Sequence, residues 1–100
     1  MQLISYDIEN DRLRLRIAKR LLHYGLHRVQ YSVFMGSLSK KDIRNLWKEL
    51  GQWMQGAEAV GSDSILYIPV HRGQLKTIQV HGSWPDRWEE ISGEVHTLML

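Results

Sequence analysis

One acidic residue at the end of an apolar stretch is the first candidate for chemistry. Asp7 follows the stretch QLISY, and an ionisable side chain within such a strand is costly to bury unless a partner compensates it. A carboxylate is a good ligand for Mg²⁺ or Mn²⁺, and a bound ion can activate water beside a phosphodiester. Alternatively, Asp7 accepts hydrogen bonds from the next helix or pairs with an arginine. The residue pattern alone favours this structural role.

A single carboxylate per chain is a poor metal site, because Mg²⁺ and Mn²⁺ prefer several oxygen ligands. In a twofold dimer, two copies of Asp7 could approach each other and share one ion. The sequence alone does not show that they do.

A group of basic residues at helical spacing is the second candidate. On a projection at about 100° per residue, one face collects Arg12, Arg16, Lys19, Arg20 and His23. Such a stripe can follow a nucleic-acid backbone through phosphate contacts without reading bases. The alternative is a solvated helix face. Arg14 lies near the apolar side, from which its long side chain is expected to reach outward at the helix edge, and it is included among the nucleic-acid-binding candidates.

Other familiar chemistries are excluded by what the sequence lacks. There is no cysteine, which removes thiolate zinc sites and cysteine nucleophiles. No phosphate-binding loop, dinucleotide-binding glycine pattern or His-Glu-x-x-His motif occurs, and the five histidines lack metal-ligand spacing. The net charge is only +2, but basic residues concentrate in the first half of the chain, which is compatible with an anionic partner.

Two segments have the periodicity of amphipathic helices. The first follows Glu9, Asn10 and Asp11, which can cap it, and it is expected to end at about Tyr24 before Gly25.

The second helix is expected to begin at Ser39, which forms a capping-box pattern with Asp42. Its apolar positions include Trp47 and Trp53, so we expect both rings to belong to the core rather than to stack on a ligand.

The remaining apolar segments predict strands at 2–8, 28–35, 64–70 and 75–81, and a last apolar stretch closes the chain. A turn at Gly36 leads either into a short paired strand or directly to the second helix. Because 64–70 is almost continuously apolar, it is expected to be a central strand buried on both faces. This order predicts a layered domain with both helices on one sheet face, and a second copy of the chain on the other.

The length of 100 residues predicts a single domain. No apolar run approaches the roughly 20 residues that cross a bilayer, and the first residues lack the pattern of a signal peptide. We therefore expect a cytoplasmic protein with no membrane association.

A set of short motifs distinguishes the first third of the chain. They are Tyr6-Asp7-Ile8, Asn10-Asp11-Arg12, Arg16-Ile17-Ala18-Lys19, Leu22, Tyr24-Gly25, Arg28-Val29-Gln30-Tyr31-Ser32-Val33-Phe34 and Gly36. At the residue level these motifs closely resemble the Cas2 family, the smaller CRISPR adaptation proteins of prokaryotes. The similarity is dense through residue 36, looser through Met54 and 64–70, and no longer recognisable beyond Val80.

The resemblance implies an α+β fold, a ferredoxin-like βαββαβ sandwich with extra C-terminal strands, in a homodimer. The single domain, 1–100, would have a core over about 1–80 and an extension over about 81–100 that exchanges strands between chains. Asp7 would be the catalytic residue and metal ligand, at the dimer interface of a Mg²⁺- or Mn²⁺-dependent endonuclease acting on RNA or DNA.

The resemblance also implies a role in spacer acquisition, in which the dimer binds duplex DNA and bridges dimers of the larger CRISPR adaptation integrase. Single-stranded RNA is a further expected ligand. Two alternatives remain open: a stand-alone, toxin-like ribonuclease, and a non-enzymatic RNA-binding module of the same fold.

Overall fold

In a computed structural model, residues 1–83 are described, apart from the side chains of Arg72 and Lys76. The elements are β1 (Gln2–Asp7), α1 (Asp11–His23), β2 (His27–Gln30), β3 (Val33–Gly36), α2 (Lys40–Met54), β4 (Ser64–Pro69) and a 3₁₀ helix (Arg72–Thr77). The strands form one antiparallel sheet in the order β2-β3-β1-β4. This is the α+β, ferredoxin-like βαββαβ fold that was expected.

Local capping explains where both helices begin. Asn10 precedes α1, and its Oδ1 accepts a hydrogen bond from the Leu13 N–H at 2.9 Å. Ser39 does the same for α2, where its Oγ accepts from the Asp42 N–H at 3.0 Å. The end of α1 is set by Gly25, whose φ of 98° is in the left-handed region that favours glycine. These predicted boundaries are confirmed.

The core lies between the sheet and the two helices. On β1 every second side chain faces the helices, so Ile4 and Tyr6 are buried while Asp7 is exposed. The largest fully buried side chains are Phe34, Ile4, Leu13, Ile17, Leu21, Leu46 and Leu50. The sheet approaches the end of α1 closely at Gly36, where a Cβ would lie only 2.8 Å from Leu26 Cδ2.

The predicted strand 28–35 is in fact a hairpin. Tyr31 and Ser32 form a turn between β2 and β3, and a register shift lies between Arg28 and Gln30. A single-strand prediction fails here because an alternating pattern can continue through a tight turn. The reversal brings β3 alongside β1, which becomes an interior strand of the sheet.

The strand predicted at 64–70 is confirmed as β4, but its expected central position is wrong. β4 is an edge strand, with Leu66 56% and Ile68 44% exposed, so within the described chain it is not buried on both faces. Segment 75–81 is not a strand: its first residues belong to the 3₁₀ helix and the rest is irregular. Leu75 instead packs against Met35, so the sheet face opposite the helices is partly covered.

The acidic segment and the last apolar stretch, with the expected strand exchange over 81–100, lie almost wholly outside the described residues. Among the helices of residues 1–83, none has the length and apolar character needed to span a bilayer.

Candidate nucleic-acid interface

Asp7 ends β1 with its side chain exposed. In the sheet its Cα is paired with that of Ser64 at the start of β4. Within residues 1–83 its carboxylate makes no hydrogen bond and no ion pair. The first turn of α1 is capped by Asn10 instead, so neither structural role considered from the sequence is observed for Asp7 in this part of the chain.

Asp63 is the carboxylate that has a structural role in this region. Its Oδ1 accepts from the Glu9 N–H at 3.0 Å and its Oδ2 accepts from the Val60 N–H at 2.9 Å. These bonds join the loop after β1 to the loop before β4, next to Asp7. Sequence reasoning missed Asp63, because nothing in the local pattern connects residues separated by 54 positions.

Residues 1–83 bring no further carboxylate together with Asp7 in a group that could hold a metal ion. No group of three or more acidic, histidine or cysteine side chains is positioned to hold a metal within the described residues. Mg²⁺ is commonly held by one or two carboxylates together with water and substrate phosphates. The exposed Asp7 fits that donor set as one carboxylate contributor.

Arg14 is directed back toward the loop that follows β1. Its Nη1 donates to the Ile8 carbonyl at 2.9 Å, and its Nη2 pairs with Asp11. The hydrogen bond to Asp11 raises the pKa of Arg14. The side chain therefore reaches the helix edge as expected, but there it binds groups of its own chain.

Arg16 and Arg20 form a cluster with residues from α2 and the loop after it. Their guanidinium carbons lie 5.5 and 5.6 Å from the centroid of the Trp53 ring, within the range of cation–π contact. Arg16 Nη2 also donates to Glu58 Oε1 at 2.6 Å, and Arg20 Nε lies 3.4 Å from Glu49 Oε2. We call these five residues the arginine cluster.

Within the basic stripe, Arg16 and Arg20 are thus held in place by tertiary contacts. Arg16, Lys19, Arg20 and His23 line a shallow cleft beside Trp53. Lys19 and Arg12 are exposed, and neither forms an ion pair within residues 1–83. The structure brings Arg16, Lys19 and Arg20 together on α1, whereas Arg14 binds the loop.

The expectation that both tryptophans belong to the core is wrong for Trp47, which is 43% exposed and lies against Tyr67 of β4. Trp53 is partly buried and packs against the core, as expected. A sequence signal existed for Trp47, because the residues three and seven positions before it are the basic Arg44 and Lys40, which place it at the edge of the apolar face.

The fold and these surfaces define a small α+β domain that carries one exposed carboxylate at a strand end and a basic helix beside it. A family model described as CRISPR associated protein Cas2 matches residues 1–78. The chain therefore belongs to the Cas2 family.

Similar proteins agree in sequence and in structure. A protein from Chloroflexus aurantiacus, named CRISPR-associated endoribonuclease Cas2 2, is 47% identical over 57% of this chain and 67% of its own length. A Synechocystis protein, CRISPR-associated endoribonuclease Cas2 3, is 38% identical over 85% and 87% of the two chains. The crystal structure of Streptococcus pyogenes Cas2 at pH 6.5 superposes with a TM-score of 0.64 at 28% identity, covering 81% and 98%.

Proposed function

We propose that the chain is a subunit of CRISPR adaptation that binds duplex DNA, bridges dimers of the larger integrase and hydrolyses phosphodiester bonds at a metal site centred on Asp7. The observation that carries this proposal is the state of Asp7, an exposed carboxylate without a partner in residues 1–83. Two relatives in the Cas2 family are named endoribonucleases, and we therefore include RNA among the proposed substrates.

A homodimer is supported by the sheet face opposite the helices. Asp7 shares this face with Leu3, because alternate residues of β1 point the same way. The strand register also places Leu66 and Ile68 of β4 on it, and both are exposed. Exposed apolar side chains of this kind favour a second copy of the chain. In a twofold interface the same patch is used by both copies, so each would contribute its own Asp7.

The two Asp7 carboxylates would hold Mg²⁺ or Mn²⁺ together with water and phosphate oxygens. When bound, the ion would supply charge neutralisation and a more acidic water. The protein's own contribution is to expose both carboxylates without a partner among residues 1–83.

Backbone binding is supported by the stripe on α1. Arg16, Lys19 and Arg20 offer cations along one side of the helix, and phosphate contacts of this type position a duplex without reading its sequence. Such binding suits a bridging subunit, since spacers differ in sequence.

The nuclease part is tested with Asp7→Asn, assayed on single-stranded RNA and on duplex DNA with Mg²⁺, with Mn²⁺ and with EDTA. We expect metal-dependent cleavage by the wild-type chain and background cleavage by the variant. Glu9→Gln is the matched control, because Glu9 is another exposed carboxylate only two residues away, and within residues 1–83 only its backbone N–H and carbonyl are engaged. Unchanged cleavage by Asp7→Asn would contradict the assignment.

The bridging part is tested separately. The wild-type chain is expected to bind duplex DNA at low salt, with an affinity that falls steeply as salt rises, and to elute with a cognate integrase in size-exclusion chromatography. A chain that does neither is not an adaptation subunit, whatever its nuclease activity.

A further inference from the structure

We propose that Trp47 and Tyr67 form a stacking site for an unpaired base of single-stranded nucleic acid, with Arg44 and its neighbouring lysines binding the flanking phosphates. The inference rests on the proposed function only in taking nucleic acid as the ligand. Neither Asp7 nor the arginine cluster contributes to it.

The two rings form an exposed aromatic surface between α2 and the edge strand β4. Their centroids are 5.9 Å apart, with an angle of 55° between the planes. Trp47 is 43% and Tyr67 37% exposed, so each ring retains accessible surface after contacting the other. Ile43 and Arg44 complete the wall of this shallow depression. Aromatic side chains in such positions bind bases without sequence preference, because every base has a π face.

The charges around the pair complement a phosphate backbone. Lys40, Arg44 and Lys48 follow one another at intervals of four residues, so they form a row along α2 beside Trp47. All three side chains are exposed, and none forms an ion pair within residues 1–83. Arg16 and Arg20 differ, because each already has a glutamate partner.

The acidic residues of α2 lie elsewhere on the helix. At about 100° per residue, Asp42 and Glu49 lie more than a third of a turn from Trp47, and Glu49 faces Arg20 of α1. On α2, Trp47 therefore has cations and no carboxylates as its neighbours. Asp63 lines a depression together with Trp47, but both oxygens of its carboxylate accept backbone hydrogen bonds. An apolar protein partner would leave this row of cations without counter-charges. Single-stranded nucleic acid can stack its bases on the rings and pair its phosphates with the cations.

The test measures fluorescence anisotropy of the full chain with a labelled oligo-dT, an oligo-U and a DNA duplex of equal length. Trp47→Leu and Tyr67→Leu keep apolar bulk but remove the stacking ring. We expect each to weaken binding of both single strands by roughly 5-fold or more, and to change duplex binding by less than about 2-fold. Tyr31→Leu is the matched control, since it removes an aromatic ring that is 71% exposed in the β2–β3 turn.

Arg44→Gln provides a second measurement that does not disturb apolar packing. We expect it to reduce the slope of log affinity against log salt for single strands by about one phosphate contact. Thermal unfolding of each variant confirms that the fold is kept.

Each outcome decides the inference. Wild-type affinity of Trp47→Leu and Tyr67→Leu for both single strands overturns it, as does an equal loss in Tyr31→Leu. If the two variants instead change the sedimentation coefficient of the chain without affecting oligonucleotide binding, the rings are a contact between protein chains, and the inference is wrong. A wild-type chain that binds duplex but no single strand overturns this inference alone. A chain that binds neither overturns the proposed function as well.

Discussion

Neutralising Glu58 should make the chain bind nucleic acid more tightly. Glu58 Oε1 accepts a hydrogen bond from Arg16 Nη2 at 2.6 Å, on the face of α1 that we propose for phosphate contacts. A phosphate that binds Arg16 has to displace this carboxylate or share the guanidinium with it. Glu58→Gln removes the competing charge and keeps the shape of the side chain.

The size of the effect follows from the exposure of the pair. The Arg16 side chain is 46% and the Glu58 side chain 33% exposed, so solvent screens their interaction substantially. Pairs of this kind contribute about 0.2–1 kcal/mol. If binding breaks the pair, its removal corresponds to about 1.4-fold to 5-fold higher affinity.

The assay is a double-mutant cycle on duplex affinity, using the wild-type chain, Glu58→Gln, Arg16→Gln and the double variant. Competition predicts that Arg16→Gln costs more affinity in the Glu58→Gln background than in the wild type, because only there does no carboxylate compete with the phosphate for the guanidinium. An equal cost in both backgrounds, with no gain from Glu58→Gln alone, would refute the reasoning and place Arg16 outside the phosphate contacts.

Two further predictions concern stability and pH. Asp63→Ala should lower the free energy of unfolding by about 1–3 kcal/mol, because two backbone N–H groups lose their acceptor. Asp7→Asn should change the free energy of unfolding by less than about 0.5 kcal/mol. Urea unfolding compares the two variants, and equal losses of stability would contradict the assignment of a structural role to Asp63 and a functional role to Asp7. Burial raises the pKa of Tyr24 above its ordinary value near 10, so the folded chain holds this proton more tightly than the unfolded chain. The stabilisation that results from this difference is fully present below the pKa of Tyr24 in the unfolded chain. It is lost as pH rises through the higher pKa of Tyr24 in the folded chain. Urea unfolding at alkaline pH should show a smaller loss in Tyr24→Phe, and an identical loss would show that Tyr24 is not the group responsible.

Much of the architecture was determined by local sequence. The faces of α1 and α2 follow from apolar residues at helical intervals, and their starts follow from Asn10 and Ser39, whose side chains accept hydrogen bonds three residues ahead. Gly25 ends α1 for an equally local reason, a left-handed backbone. Signals of this kind can be predicted because the interacting groups are close in the chain.

The strand pattern was less informative because strands are completed by partners distant in sequence. Alternation over 28–35 did not reveal the chain reversal at Tyr31 and Ser32. The apolar run of β4 did not reveal that the strand lies at an edge of the sheet. Such a run indicates that the side chains favour burial, but it does not indicate which segment packs against them.

For the candidate site, the sequence identified Asp7 and the basic face of α1, since one is an acidic residue at a strand end and the other has helical spacing. Only the tertiary structure showed that Asp7 has no partner in residues 1–83, and that Arg16 is paired with Glu58, 42 positions away. It alone placed Trp47 beside Tyr67 at the surface. Which charges are free and which rings are exposed depends on packing between distant segments, and no local period encodes that packing.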